Sequence, residues 1–207
     1  MDIRWKVYLA GPDVFLEDAA DLGNRKREIC ARYGLDGLFP LDAGLRASRR
    51  SGRDRAMAIY RGNDRLMADA DACIANLTPF RGPNVDDGTA FEIGAFIARG
   101  KPVFGYMNAE DTLVERVNTF FDGGLRHDET RNIRFDPMGL FVEDYGLPMN
   151  LMLACGIVAS SGTIVARTVP DDERYRDLDG FERCTAALSR LLTIRRDGPR
   201  PLVREAG

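Results

Sequence analysis

Five short apolar runs, separated by segments of helical length, are the feature that most constrains how this chain can fold. The runs have the composition of buried strands and occupy residues 6–10, 37–40, 71–77, 101–106 and 162–167. Helical patterns lie between and after them, at residues 17–33, 54–70, 87–99, 151–160 and 178–192. Strand–helix–strand units cross over with right-handed geometry and bring their strands together in parallel. The sequence therefore predicts an α/β fold with a mostly parallel sheet and helices on both of its faces.

The chain, at 207 residues, is long enough for one domain with a full hydrophobic core. We expect a Rossmann- or flavodoxin-like domain over residues 1–194, followed by a flexible tail rich in Arg and Pro at residues 195–207. Residues 108–146 show few regular periods and are predicted to form a long irregular insert, which is often functional in a compact domain. The basic segment 46–55 is either a solvated surface or a lid over a polar or anionic ligand.

Charge and residue counts argue against several classes of function. The formal net charge of -3 gives no electrostatic basis for binding nucleic acid. The single histidine, His127, argues against a histidine-based metal site and, without a G-x-S-x-G element, against a Ser-His-Asp triad. The four cysteines lie far apart without a C-x-x-C pair, and they are Cys30, Cys73, Cys155 and Cys184. We predict that they are free thiols in a reducing compartment.

The N-terminal and apolar segments indicate a cytoplasmic protein without a membrane role. Residues 1–6 lack the apolar region of a signal peptide. No apolar run reaches the roughly 20 residues that a membrane-spanning helix requires.

Glu92 is the strongest candidate for a catalytic residue. It lies in the opening turns of the helix predicted at residues 87–99, and so at the carboxyl edge of the predicted sheet, where open α/β folds bind ligands. The positive end of the helix dipole favours an ionised carboxylate there. A surface Glu is the alternative, but Phe91, Ile93 and Phe96 leave little room for an exposed helix face. A desolvated carboxylate in a cleft is what covalent glycosyl chemistry requires.

Other elements are predicted to meet Glu92 at the same edge. They are residues 8–15, Asn63 with Asp64, residues 86–92, and Asn150. Tyr8 is either a core tyrosine or a hydrogen-bond donor to Glu92. Asp86 and Asp87 either cap the following helix or enter the cleft. Asp64 is either a surface carboxylate or an acid kept protonated beside Glu92. The tight turn at Gly11 would let a sugar or base approach the backbone.

The order of these motifs along the chain resembles the nucleoside 2-deoxyribosyltransferase family. The matching segments fall within roughly residues 5–160, and they are residues 7–15, 63–64, 86–94 and 148–153. The runs GPDVF and GTAFEIG are most similar to the purine-preferring or broad-specificity branches of that family.

The resemblance implies a role for several residues. Glu92 matches the nucleophile that attacks C1′ of a 2′-deoxynucleoside, and Tyr8 matches the tyrosine that positions it. Asp64 and Asp86 match the acidic residues that hold and protonate the base. Asn150 matches an asparagine that binds sugar hydroxyls in a neighbouring subunit's site. The remaining residues expected to contact substrate are Gly11, Asp13, Phe15, Asn63 and Gly88.

The resemblance also implies small-molecule partners, namely nucleosides and free nucleobases, in a homodimer or a homohexamer built from dimers. It implies neither a metal nor an organic cofactor. One alternative is an N-glycosidase that hydrolyses nucleosides or nucleoside 5′-monophosphates, although the charge of Asp13 in the first loop disfavours a phosphate. A second alternative is a non-catalytic nucleotide-binding protein, against which the joint presence of all the catalytic matches argues.

Overall fold

A five-stranded parallel sheet forms the centre of the molecule in a computed structural model that describes residues 4–41 and 51–197. Its strands are β1 (Trp5–Ala10), β2 (Leu35–Leu38), β3 (Ala72–Asn76), β4 (Val103–Met107) and β8 (Ile164–Ala166). They pair in the order β2-β1-β3-β4-β8, and every pair is parallel. This is the order of a flavodoxin-like doubly wound sheet, which confirms the predicted fold class.

Helices cover both faces of the sheet, because the central strands are buried on both sides and their apolar side chains need partners on each. One face packs against α1 (Ala19–Arg32) and α6 (Asp179–Asp197). The other face packs against α2 (Gly52–Asp69), α3 (Asp87–Ala98) and α5 (Leu151–Ala159). No helix among the described residues is long and apolar enough to cross a membrane.

The segment predicted to be irregular, residues 108–146, contains regular structure. It holds α4 (Leu113–Phe120) and an antiparallel sheet of β5 (Arg126–Asp128), β6 (Ile133–Phe135) and β7 (Phe141–Val142). A capping box between Thr112 and Glu115 starts α4. The prediction was wrong here because strands of two or three residues are too short to show a period of two.

Other element boundaries differ by a few residues. Strand β2 begins at Leu35, two residues before its predicted start. Gly34, which has a positive φ, terminates the turn after α1, and the strand follows directly. Helix α6 continues to Asp197, so the first three residues of the predicted tail are helical. Residues 198–207, and residues 46–50 of the basic segment, lie outside the described residues.

The carboxyl edge of β1 and β3 is the switch point of the sheet. The chain leaves β1 toward α1 on one face and leaves β3 toward α3 on the other, so a crevice opens between the two connections. Ligands of doubly wound folds bind at this point. The loops that follow β1 and β3 contain several of the residues singled out in the sequence.

Candidate active site

Tyr8 and Glu92 are in direct contact, although 84 residues separate them in the chain. Tyr8 lies in β1 with its side chain buried against α3, where its ring is 5.7 Å from that of Phe96. Glu92 lies in the second turn of α3, and its Oε1 accepts a hydrogen bond from the Tyr8 hydroxyl. Strand β1 is central and faces α3, so the alternation of its side chains directs the Tyr8 phenol toward Glu92.

The surroundings of Glu92 change how readily it ionises. Burial raises the pKa of Glu92 to about 7, the hydrogen bond from Tyr8 lowers that pKa, and the negative charge of Asp86 raises it. Burial also raises the pKa of Tyr8, with a further contribution from the Glu92 carboxylate. Tyr8 therefore remains a proton donor, and Glu92 is a carboxyl group that ionises near neutral pH.

A cavity of about 250 Å³ opens beside Glu92, between α2 and α3. It is lined by Tyr60, Asn63, Met67, Gly88, Phe91 and Glu92. The Oδ1 atom of Asn63 is buried and has no hydrogen-bond partner among the described residues. Buried amide oxygens are normally hydrogen-bonded, so this oxygen is an exception among the described residues. The cavity can hold a small polar group beside Glu92 and Asn63.

Asp86 and Asp87 flank the same helix N-terminus from the other side. Asp86 caps α3, since its Oδ2 accepts hydrogen bonds from the backbone N and Oγ1 of Thr89, at 2.8 and 2.9 Å. Both carboxylates line a second cavity of about 680 Å³, between the β3–α3 loop, α4 and the small sheet. Asp86 therefore acts as the helix cap and also contributes its charge to Glu92.

Asp64 does not reach the Glu92 cavity. Its carboxylate forms an ion pair with Arg99 at 3.2 Å, and its side chain is 47% exposed. Asn63 and Asp64 are successive residues on α2, where side chains diverge by about 100°, so one lines the Glu92 cavity and the other points toward Arg99 at the end of α3. The residue that lines the cavity is Asn63. The geometry therefore gives no support to Asp64 as the acid beside Glu92.

The loop after β1, which was predicted to contact substrate, has a buried carboxylate at its centre. Asp13 is completely buried, and its carboxylate accepts hydrogen bonds from Lys26 and from Asn76 Nδ2. A carboxylate without exposed surface has no free oxygen facing the crevice, so the geometry gives no support to the predicted substrate contact. The close approach at Gly11 is to Asn76, because a Cβ atom on Gly11 would lie 2.7 Å from that of Asn76.

Phe15 is the exposed member of the first loop. Its ring is 59% exposed and stacks on Phe80, with 5.3 Å between centroids. The guanidinium of Arg81 lies 4.6 Å from the Phe80 ring on this small aromatic stack. Phe15 thus remains available to a ligand at the switch point.

Asn150 lies outside the Glu92 cavity of its own chain. It caps α5 by accepting from the backbone N of Met152 at 3.0 Å, and its Nδ2 donates to Glu143 at 2.7 Å. The side chain is exposed and lines the larger cavity. Helix α5 also exposes apolar side chains, with Met152 73% exposed and Val158 63% exposed.

Sequence reasoning missed three residues that line the Glu92 cavity. Tyr60 and Met67 belong to no motif singled out in the sequence, and Phe91 is noted there only as an apolar neighbour of Glu92. Tyr60, Asn63 and Met67 have the spacing of one helix face, and that period could have indicated which side of α2 lies toward Glu92.

Comparisons with known proteins identify the family of this chain. The sequence model of the nucleoside 2-deoxyribosyltransferase family matches residues 7–152, a range that includes Tyr8, Glu92 and Asn150. An uncharacterized protein of Schizosaccharomyces pombe is 31% identical over 179 residues, covering 82% of this chain and 84% of that one. A 2-desoxiribosyltransferase from Leishmania mexicana is a structural neighbour with 31% identity and a TM-score of 0.55. That match covers 72% of this chain and 85% of the other.

Proposed function

The chain belongs to the nucleoside 2-deoxyribosyltransferase family, and we propose that it transfers 2-deoxyribose from a 2′-deoxynucleoside to a free nucleobase through a covalent intermediate on Glu92. The observation that carries this proposal is the hydrogen-bonded pair of buried Tyr8 and half-buried Glu92 at the wall of a cavity of about 250 Å³. A carboxylate that is partly desolvated and fixed by one hydrogen bond is suited to nucleophilic attack at an anomeric carbon.

In the first step, ionised Glu92 attacks C1′ while the bond from C1′ to the base nitrogen breaks. Because Tyr8 holds Oε1, Oε2 is the oxygen that forms the ester. The carboxylate stabilises the oxocarbenium character of the transition state. The departing base takes up a proton, and Asp86 in its protonated form is the candidate donor because it lies at the start of the helix that carries Glu92.

In the second step, a nitrogen of the acceptor base attacks C1′ and the ester bond to Glu92 breaks. The acceptor gives its proton to the group that protonated the departing base, so the enzyme returns to its starting state. Water can attack the same carbon, and the products then are free 2-deoxyribose and enzyme. Transfer therefore requires that the site keeps water away from the ester.

The site is completed, in this proposal, by Asn150 of a second subunit in a dimer or a hexamer of dimers. Asn150 lies outside the Glu92 cavity of its own chain. The apolar side chains exposed on α5 offer a surface that a second copy would bury. Sugar hydroxyls would then meet an amide from each subunit, Asn63 from one and Asn150 from the other.

The test is to incubate the protein with deoxyinosine and free adenine and to follow the products by chromatography. We expect deoxyadenosine to form, and hypoxanthine to accumulate only slowly when adenine is omitted. The Glu92→Gln variant is the control for reactions that do not use the nucleophile. Transfer would be contradicted if hypoxanthine were released at the same rate in the presence and absence of adenine and no deoxyadenosine were formed.

One observation favours a second candidate, hydrolysis of nucleoside 5′-monophosphates. The negative charge of Asp13, which the sequence suggested would repel a phosphate, is neutralised by Lys26 in a buried pair. Deoxyinosine 5′-monophosphate should therefore be included as a donor. Faster cleavage of the phosphorylated donor than of deoxyinosine would favour the N-glycosidase.

A further inference from the structure

A buried ion pair lies beneath the first loop of the site. Lys26 in α1 and Asp13 in the loop after β1 are 1% and 0% exposed, and the ammonium group contacts the Asp13 carboxylate. Three aromatic rings surround the ammonium, those of Phe39, Tyr106 and Phe181, at 5.3 to 6.0 Å. A buried ion pair adds little net stability over an apolar replacement of the same volume. Its presence here therefore suggests a role in geometry.

The pair is the end of a chain of hydrogen bonds that crosses the carboxyl edge of the sheet. Asn76 at the end of β3 donates to Asp13 at 2.6 Å and accepts from the backbone N of Thr78 at 3.0 Å. Thr78 in turn accepts from the backbone N of Asn108, beyond β4, at 3.1 Å. These bonds connect the loops that follow β1, β3 and β4.

The connection leaves no space between the first two loops. A Cβ atom on Gly11, which has a φ of 154°, would lie 2.8 Å from Asp13 Oδ2 as well as 2.7 Å from Asn76 Cβ. Gly11 follows Tyr8 by three residues, and the loop that begins beyond Asn76 leads to Asp86. A shift of either loop would therefore move a residue that acts on Glu92.

We propose that Lys26, Asp13 and Asn76 are positioning residues, which fix the loops after β1 and β3 relative to each other so that the deoxyribosyl ester on Glu92 is reached by an acceptor base and shielded from water. This inference rests on the proposed transfer reaction. None of the three residues touches substrate, and they act through Tyr8, Phe15 and Asp86.

The test measures the ratio of transfer to hydrolysis from deoxyinosine in the presence of adenine. Both products come from one intermediate, so the ratio does not depend on how much of a variant is folded. The variant Asp13→Asn/Lys26→Met removes both charges together and leaves no unpaired buried charge. We expect its hydrolytic fraction to rise about fivefold or more, and the KM for deoxyinosine to rise as well.

A second variant, Asn76→Ser, keeps the ion pair and removes only its link to the β3–α3 loop. We expect the same change in the ratio, which guards against a double variant that does not fold. Asp18→Asn is the control, because it breaks an exposed ion pair with Arg176, at 2.9 Å, just before α1. It should keep the wild-type ratio.

A wild-type ratio and KM in folded Asn76→Ser, or in the folded double variant, would overturn the inference while leaving the transfer reaction established. A wild-type protein that forms no deoxyadenosine would refute the proposed function itself.

Discussion

Among single residues, Glu92 has an environment that suits the proposed attack on C1′. The burial of its ionised carboxylate also destabilises the folded protein. An ionised carboxylate must lose hydration to enter the site, and burial raises its pKa from 4.5 to about 7. Tyr8 offsets part of this effect through its hydrogen bond, and Asp86 adds to it. The proposed nucleophile is therefore only partly ionised at neutral pH, and its ionisation is coupled to stability and, in the proposed reaction, to catalysis.

The variant Glu92→Gln should be more stable than the wild type at pH 8, but not near pH 4.5. In the unfolded chain Glu92 ionises at lower pH than in the folded protein, so the unfolded state binds fewer protons between these pKa values. The wild type should therefore lose up to about 3 kcal/mol of unfolding free energy as the pH rises from 4.5 to above 7. Glutamine does not ionise and avoids this loss. Urea unfolding of both proteins at pH 5 and pH 8 measures the difference in their unfolding free energies. The same pH dependence of that free energy in both proteins would contradict the prediction.

The pH dependence of kcat/KM should report the same group. The proposed reaction requires ionised Glu92, so we expect kcat/KM for deoxyinosine to fall as the pH drops below about 7. Tyr8→Phe removes a hydrogen bond that lowers this pKa and should shift the profile to higher pH. Asp86→Asn removes a charge that raises it and should shift the profile to lower pH. If the pH profiles of both variants shifted in the same direction, the fall in kcat/KM at low pH would belong to a group other than Glu92.

Deletion of the Glu92 carboxylate should abolish transfer while the protein remains folded. Glu92→Ala is expected to lose several orders of magnitude in rate, as single nucleophile deletions do. A 2-fluoro-2-deoxyarabinosyl nucleoside, which slows both steps, should leave a sugar adduct that peptide mass mapping locates on Glu92. An adduct on Asp86 would mean that the two carboxylates have exchanged roles.

At the scale of elements, the rotation of α2 about its axis decides which of two adjacent polar residues belongs to the site. Asn63 lies on the face that also carries Tyr60 and Met67 and lines the cavity. Asp64 lies one position further around the helix and pairs with Arg99 at the surface. The resemblance pointed to Asp64, and the packing of α2 against α3 favours its neighbour.

Replacement of these two residues separates the alternatives. Asn63→Leu should raise the KM for deoxyinosine and lower kcat, together by about a hundredfold, because it replaces an amide that lines the cavity with an apolar side chain. Asp64→Asn should change kcat/KM by less than about threefold, since an exposed ion pair contributes little. Steady-state kinetics of the two variants tests this, and a large loss in Asp64→Asn alone would restore the acid role to that residue.

At the scale of the whole molecule, the proposed sharing of the site between subunits predicts rescue between two inactive proteins. Glu92→Ala lacks the nucleophile, and Asn150→Ala lacks the amide proposed to enter the partner's site. After subunit exchange, some sites combine an intact Glu92 with an intact Asn150, so a mixture should recover part of the activity. Mass spectrometry of the mixed oligomers confirms exchange. Exchange without recovery, or an active monomer, would refute the shared site.

The sequence by itself determined the α/β class, the position of Glu92 near the start of a helix, and its association with Tyr8 as a possibility. These follow from local patterns, because buried parallel strands are apolar runs and helices have their own period and caps. The motif order also indicated the family, which the comparison over residues 7–152 confirms.

Only the tertiary structure decided which side chains share an environment. The burial of Asp13 depends on Lys26 and Asn76, which lie 13 and 63 residues further along the chain. The side of α2 that faces the cavity depends on how that helix packs, and the small sheet depends on pairing between strands too short to be recognised alone. Contacts between distant segments are set by packing of the whole core, and no local period of the sequence records them.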